Sequence, residues 1–217
     1  IELTSGPAPQ ASIIILHGLG ADSEDFVPIC HELDLTEAGP VRYVLPSAPA
    51  IPVSINGGYV MRAWYDIRQP GQGPREDEAG LRQSQQAIQA LIEREIARGM
   101  PASRIVLMGF SQGCAMALMT GLRYPQRLAG IVALSGYLPL LDTTAAERHE
   151  ATIHTPIFMA HGQDDDVVLM SRGTQSRDHL ASLGHAIDWH DYPMDHTLRL
   201  EEVQDLQAWL NQVLAST

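Results

Sequence analysis

With 217 residues, 45% of them hydrophobic and 18% charged, the chain has the composition of an ordinary globular protein and the length to bury a substantial core in one domain, residues 1–217. A net charge of −12 with only 14 scattered basic residues argues against nucleic acid, and no apolar run approaches the roughly 20 residues of a bilayer-spanning helix, so no integral membrane association is expected. Two cysteines, Cys30 and Cys114, stand in neither a disulfide framework nor a metal-ligand spacing and read as small buried apolar residues; a cytoplasmic location is the expectation.

The first apolar run, Ser12 to Leu16, predicts a strand and ends in His17-Gly18-Leu19-Gly20, a glycine-flanked turn able to expose backbone NH groups. A helix is expected over Glu24 to Leu35 and a strand over Val41 to Leu45. Residues 46–75 follow neither period and contain several prolines and Asn56-Gly57-Gly58, so they read as a long excursion of the kind that forms lids or binding loops. Leu81, Ile88, Leu91 and Ile92 share one helical face, which predicts a helix over Glu76 to Arg98, capped by Gly99 and stopped by Pro101. Further strands are predicted over Ile105 to Met108, Ile131 to Leu134, Ile157 to Ala160 and Ile187 to Tyr192, with helices over Gln112 to Arg123 and Met170 to Leu183. The stripe Leu200, Val203, Leu206, Leu210, Val213 and Leu214 predicts a last helix. Nearly uniform apolar strands need cover on both faces, so the alternation predicts an α/β fold with a mainly parallel central sheet and helices on both faces. Ligands gather at the carboxyl ends of such strands.

That edge carries the chemistry. Gly109-Phe110-Ser111-Gln112-Gly113 lies between a strand and a helix, the context of a nucleophile elbow, in which the serine sits on a sharp turn that leaves no room for side chains two residues to either side. A serine hydroxyl needs a histidine oriented by a carboxylate, and this fold supplies them in the order Ser, Asp or Glu, His. His196 lies between the last strand and the last helix, where it can reach Ser111. The acid falls among Asp164, Asp165 and Asp166, which the pattern alone does not separate; their alternative reading is a solvated turn. The fold draws one oxyanion donor from the residue after the nucleophile and one from the turn after an early strand, which gives the backbone NH groups of Gln112 and Leu19. His17 and His161 precede glycines at strand ends and are expected to shape the site without titrating in it.

Taken with Trp64-Tyr65-Asp66-Ile67, Leu134-Ser135-Gly136-Tyr137-Leu138-Pro139 and His161-Gly162 with Asp165-Asp166-Val167-Val168, these motifs resemble the carboxylesterase and acyl-protein thioesterase family, also called the phospholipase/carboxylesterase family, over nearly the whole chain. The resemblance implies an α/β-hydrolase fold without a large cap domain, no cofactor and no metal, and a serine carboxylesterase acting on short to medium acyl esters. Acyl-protein thioesterase and lysophospholipase activities also occur in such a family, and a scaffold that binds without catalysis is the alternative of another class. The family pattern H-G-x-x-D-x-V-V places the acid on Asp165 and the histidine on His196. It also puts Trp64, Tyr65 and Tyr137 near the acyl groove, and it allows a homodimer. Two departures stand out: Cys114 where such proteins carry glycine, and Asp195 before His196, which would favour the imidazolium if its carboxylate faced the ring.

Overall fold

The computed structural model describes residues 1–68 and 76–215; the final part of the predicted excursion, 69–75, and the last two residues lie outside the described residues. Seven strands form one sheet: β1 (Glu2–Thr4), β2 (Ala11–Leu16), β3 (Val41–Val44), β6 (Ile105–Phe110), β7 (Gly130–Leu134), β8 (Ile157–Gly162) and β9 (Ile187–Tyr192), in the order β1-β3-β2-β6-β7-β8-β9. Every neighbouring pair is parallel except β1 with β3. A separate antiparallel hairpin, β4 (Ala50–Val53) with β5 (Tyr59–Arg62), stands within the excursion.

Period-2 alternation divides the strand residues between two cores. Ile14, Leu16, Leu107, Ile131, Ala133 and Met159 face helices α2 (Glu78–Ala97) and α3 (Gln112–Leu122), with Leu180 of α5 (Met170–Ser182) in the same core. Ile13, Ile15, Val106, Met108, Val132 and Phe158 face α1 (Val27–Glu32) and α6 (Leu200–Ala215), where Cys30, Leu206, Trp209 and Leu210 are buried. Both faces are therefore dry, which is why the central strands read as uninterrupted apolar runs. Among the described residues no helix is long and apolar enough to cross a membrane.

The structure departs from the sequence expectations in definite ways. The helix expected over Glu24 to Leu35 contracts to Val27–Glu32, because Leu33 and Leu35 are both buried, and two residues that far apart on one helix point to nearly opposite sides. Helix α2 begins at Glu78 rather than Glu76, since Glu76 is held in a β-bridge with Ile67. Its end is as expected: Gly99 adopts φ +93° and its NH returns to the Ile96 carbonyl. The hairpin, β1 and α4 (Leu141–Glu147) were not foreseen. The hairpin is largely exposed and α4 buries only Thr144, so none of them carries a strong apolar period.

Register aligns the carboxyl ends of the strands. Leu16 pairs with Gly109, Phe110 with Leu134, Leu134 with Ala160, and Gly162 with Tyr192. The residues that follow, from His17, Ser111, Gln163 and Pro193 onward, leave the sheet along one edge.

Candidate active site

Ser111 follows β6 with φ +55° and ψ −116°, a conformation that costs an L-residue about 1–3 kcal/mol and persists only when its surroundings enforce it. The surroundings are close: the Ser111 NH donates to the Leu134 carbonyl at 2.9 Å. A Cβ at Gly109 would collide with the Gly113 carbonyl, and a Cβ at Gly113 with the Leu16 carbonyl. Only glycine fits either position.

The structure brings Ser111, His196 and Asp165 into one hydrogen-bonded row. His196 Nε2 lies 2.9 Å from Ser111 Oγ, and His196 Nδ1 lies 2.7 Å from Asp165 Oδ2. Asp165 is buried, whereas Asp164 and Asp166 are exposed. Its other oxygen, Oδ1, accepts from the NH groups of Val167 and Val168 at 2.9 and 2.8 Å. This turn presents the carboxylate to the imidazole and accounts for the choice among three consecutive aspartates, which composition alone could not make. Phe110 flanks the imidazole, with ring centroids 4.9 Å apart.

Gln112 opens α3 and Leu19 lies in the turn after β2. Among the described residues neither NH donates to another backbone group outside the regular elements, and the first NH of a helix has no intrahelical acceptor. The start of α3 adds positive backbone potential at the same place.

Two further histidines are built into the frame. His17 Nδ1 donates to the Gly18 carbonyl at 2.7 Å while Nε2 accepts from the Ala48 NH at 2.9 Å, and burial lowers its pKa, so the ring is neutral in one tautomer. His161 Nε2 donates to the Val168 carbonyl at 2.7 Å; burial lowers its pKa as well. Both therefore brace the loops that carry Leu19 and Asp165.

Of the residues expected near an acyl groove, Trp64 and Tyr65 are almost wholly enclosed. The Trp64 indole NH donates to the His17 carbonyl at 2.9 Å, and its ring walls a cavity of about 560 Å³ lined also by Pro49, Ile51, Ile88 and Leu91. Neither Ser111 nor His196 lines that cavity. Tyr65 and Tyr137 join hydroxyl to hydroxyl at 2.8 Å, and the Arg172 guanidinium lies 3.4 Å above the Tyr137 ring.

The two departures have simple consequences. Cys114 is buried, and a Cβ on Gly136 would lie 2.5 Å from its Sγ, so Gly136 provides the space that the thiol occupies. Burial raises the thiol pKa far above its usual value, which leaves it uncharged beside the serine. Asp195 is exposed, and among the described residues the imidazole nitrogens of His196 are taken by Asp165 and Ser111; Asp195 does not pair with the ring. No cluster of His, Cys, Asp and Glu suited to a metal ion occurs among the described residues.

The sequence matches the Phospholipase/Carboxylesterase family over residues 3–214. It is 41% identical to an acyl-protein thioesterase 1 of Neurospora crassa, covering 94% of this chain and 87% of that one, and 36% identical to an acyl-protein thioesterase 1 of Yarrowia lipolytica, covering 98% and 96%. The crystal structure of Arabidopsis thaliana SOBER1 superposes with a TM-score of 0.85 at 30% identity, over 94% of this chain and 99% of that one. The fold, the match along nearly all of the sequence and these relatives agree: the chain belongs to the phospholipase/carboxylesterase family of α/β-hydrolases and is a carboxylic ester hydrolase.

Proposed function

We propose that the chain is a serine carboxylesterase that cleaves short to medium acyl esters through an acyl-enzyme, with Ser111 as nucleophile, His196 as general base and acid, and Asp165 as the group that orients the imidazole. The observation that carries this reading is the unbroken row of hydrogen bonds from Ser111 through His196 to Asp165 at a strained elbow. In the first step His196 Nε2 takes the Ser111 proton as Oγ bonds to the acyl carbon. The carbonyl π electrons move to oxygen, and the resulting oxyanion is held by the NH groups of Leu19 and Gln112. Collapse of the tetrahedral intermediate breaks the bond to the leaving alcohol, which departs with the proton from His196. Water, deprotonated by the same imidazole, then releases the acid and restores Ser111.

Trp64, Tyr65 and Tyr137 belong to the proposal as the residues beside the acyl group; Trp64 lines the cavity of about 560 Å³ and Tyr137 a pocket shared with Arg172. Thioesters are the second reading, favoured by the names of the relatives that match along nearly the whole chain. A cytoplasmic setting is part of the same proposal. The homodimer allowed by the family resemblance is measured directly by sedimentation equilibrium.

The experiment is labelling and turnover of the purified chain. A fluorophosphonate is expected to modify Ser111 alone, and Ser111→Ala to abolish both labelling and hydrolysis; retained activity in Ser111→Ala overturns the assignment. Matched ester and thioester series of increasing acyl length then separate the two substrate readings. Highest kcat/KM on short esters supports the carboxylesterase, and highest kcat/KM on long thioesters replaces it.

A further inference from the structure

Gln112 offers more to the site than its backbone NH. Its side-chain oxygen accepts from the Trp64 NH at 2.7 Å and its side-chain nitrogen donates to the Tyr65 carbonyl at 2.8 Å, so the amide pairs with the excursion much as a neighbouring strand would. The partners determine which way the amide points, since a flipped group would set donor against donor and acceptor against acceptor. Gln112 is 3% exposed, Trp64 5% and Tyr65 1%, so water does not replace a lost partner here. The Trp64 carbonyl is taken by the Ser84 hydroxyl of α2, so the Trp64 NH, the Trp64 carbonyl and the Tyr65 carbonyl are all satisfied by side chains.

From Trp64 the contacts lead back to the other oxyanion donor. The Trp64 indole NH binds the His17 carbonyl at 2.9 Å, two residues before Leu19, and the next residue, Gly20, donates its NH to the Arg62 carbonyl at 2.8 Å. One side of this loop of contacts is the elbow itself, where Gly113 touches the Leu16 and His17 carbonyls closely enough to exclude a Cβ. The other side is the Gln112 side chain, Trp64 and His17. Leu19 and Gln112, far apart in the chain, are thus joined along two routes.

We propose that the side chain of Gln112 is the positioning residue of the oxyanion hole, setting the Leu19 NH relative to its own NH through Trp64 and the His17 carbonyl. The inference rests on the acyl-transfer reading above and adds a physical requirement to it. An oxyanion donor acts only within hydrogen-bonding distance of where the charge develops, so a small displacement of the Leu19 turn removes its contribution. Loss of the amide leaves the Trp64 NH and Tyr65 carbonyl unpaired in the interior. The segment then shifts to find partners, and the turn at His17 shifts with it.

The test compares the unaltered full chain with Gln112→Ala, Gln112→Glu, Trp64→Phe and the double variant Gln112→Ala/Trp64→Phe. The assays are hydrolysis of a short nitrophenyl ester and inhibition by a trifluoromethyl ketone of the same acyl length, whose serine adduct places an oxyanion in the hole. Gln112→Ala is expected to lower kcat about 100-fold with KM within about 3-fold, and to weaken the ketone by the same factor as kcat/KM falls. Trp64→Phe, which keeps a ring but lacks the indole NH, is expected to lower kcat about 10-fold, and the double variant to be no worse than Gln112→Ala, because both cut one route. Unchanged kcat and ketone affinity in Gln112→Ala, or losses that multiply in the double variant, overturn the proposal. If Gln112→Ala does not fold, Gln112→Glu decides: it keeps an acceptor for Trp64 and loses the donor to Tyr65, so a kcat about 10-fold lower at unchanged KM supports the role and an unchanged kcat overturns it. Absence of fluorophosphonate labelling in the unaltered chain is a different failure, of the serine mechanism itself.

Discussion

Asp165 divides its two oxygens between tasks: Oδ1 is fixed by the NH groups of Val167 and Val168, and Oδ2 meets His196. Asp165→Asn keeps the volume and offers an amide nitrogen where the imidazole donates, which favours the wrong tautomer. Its expected effect is a kcat loss of roughly 1,000- to 10,000-fold with a melting temperature close to that of the parent, measured by ester hydrolysis and calorimetry. Gly113→Ala acts differently. Its Cβ meets the Leu16 carbonyl, and backbone cannot yield as a flexible side chain does, so both activity and fold are affected; a stability loss of about 3 kcal/mol in urea unfolding is expected. Cys114→Ser separates packing from reactivity: the thiol is buried and uncharged, so Ser111 labelling by a fluorophosphonate persists while stability falls through burial of a hydroxyl. At this scale the sequence motif named Ser111 and His196, and the family pattern named Asp165. The side-chain amide of Gln112 was not legible, because a glutamine in a helix's first turn carries no sign of a partner almost fifty positions earlier.

Among the elements, legibility followed periodicity. Strands β6, β7 and β8 are buried on both faces and α2 has a clear apolar stripe, so each was visible in the chain. The hairpin was not: Tyr59 and Val60 are exposed and Pro52 interrupts β4, so its short antiparallel ladder, tied to the rest of the fold at Gly20 and Ala48, leaves no apolar alternation to read. Helix α6 contains an unexpected group. Glu202 is completely buried in its first turn, and burial raises its carboxyl pKa to about 8, so the acid is largely neutral near pH 7. A carboxyl whose folded pKa lies above its unfolded one contributes most stability below the unfolded value, and that contribution is lost as pH rises through the folded value. Glu202→Gln is therefore expected to raise the melting temperature at pH 9 relative to the parent and to leave it nearly unchanged at pH 4, as read by calorimetry at the two pH values.

For the molecule as a whole, a second carboxyl acts in the opposite direction. Glu147 of α4 binds Arg82 of α2 and Arg123 beyond α3, and hydrogen bonds from Arg82 first, then Arg123, lower its pKa to about 2. Its contribution is present above the ordinary carboxylate range and is lost as pH falls toward 2. Glu147 and Glu202 together place their combined optimum on the acid side of neutrality. The parent is expected to melt at a higher temperature at pH 5 than at pH 9, and Glu147→Gln to lose stability at pH 5 while matching the parent more closely at pH 2. The net charge of −12 favours the same direction, since partial protonation relieves repulsion among surface carboxylates.

The sequence by itself determined the α/β architecture, most of the sheet and the placing of a serine, an aspartate run and a histidine at its carboxyl edge, because these depend on apolar period, glycine at crowded turns and the order of motifs along the chain. Tertiary structure alone decided which hydroxyl, imidazole and carboxylate oxygens meet, how an exposed Asp195 stays apart from His196, and how Gly136 accommodates Cys114. It also decided that the excursion is tied to the elbow and the oxyanion turn by Gln112, Trp64 and His17. The physical reason is range: periodicity is a local property of neighbouring side chains, whereas a hydrogen bond within 3 Å joins residues whose separation along the chain the fold alone removes.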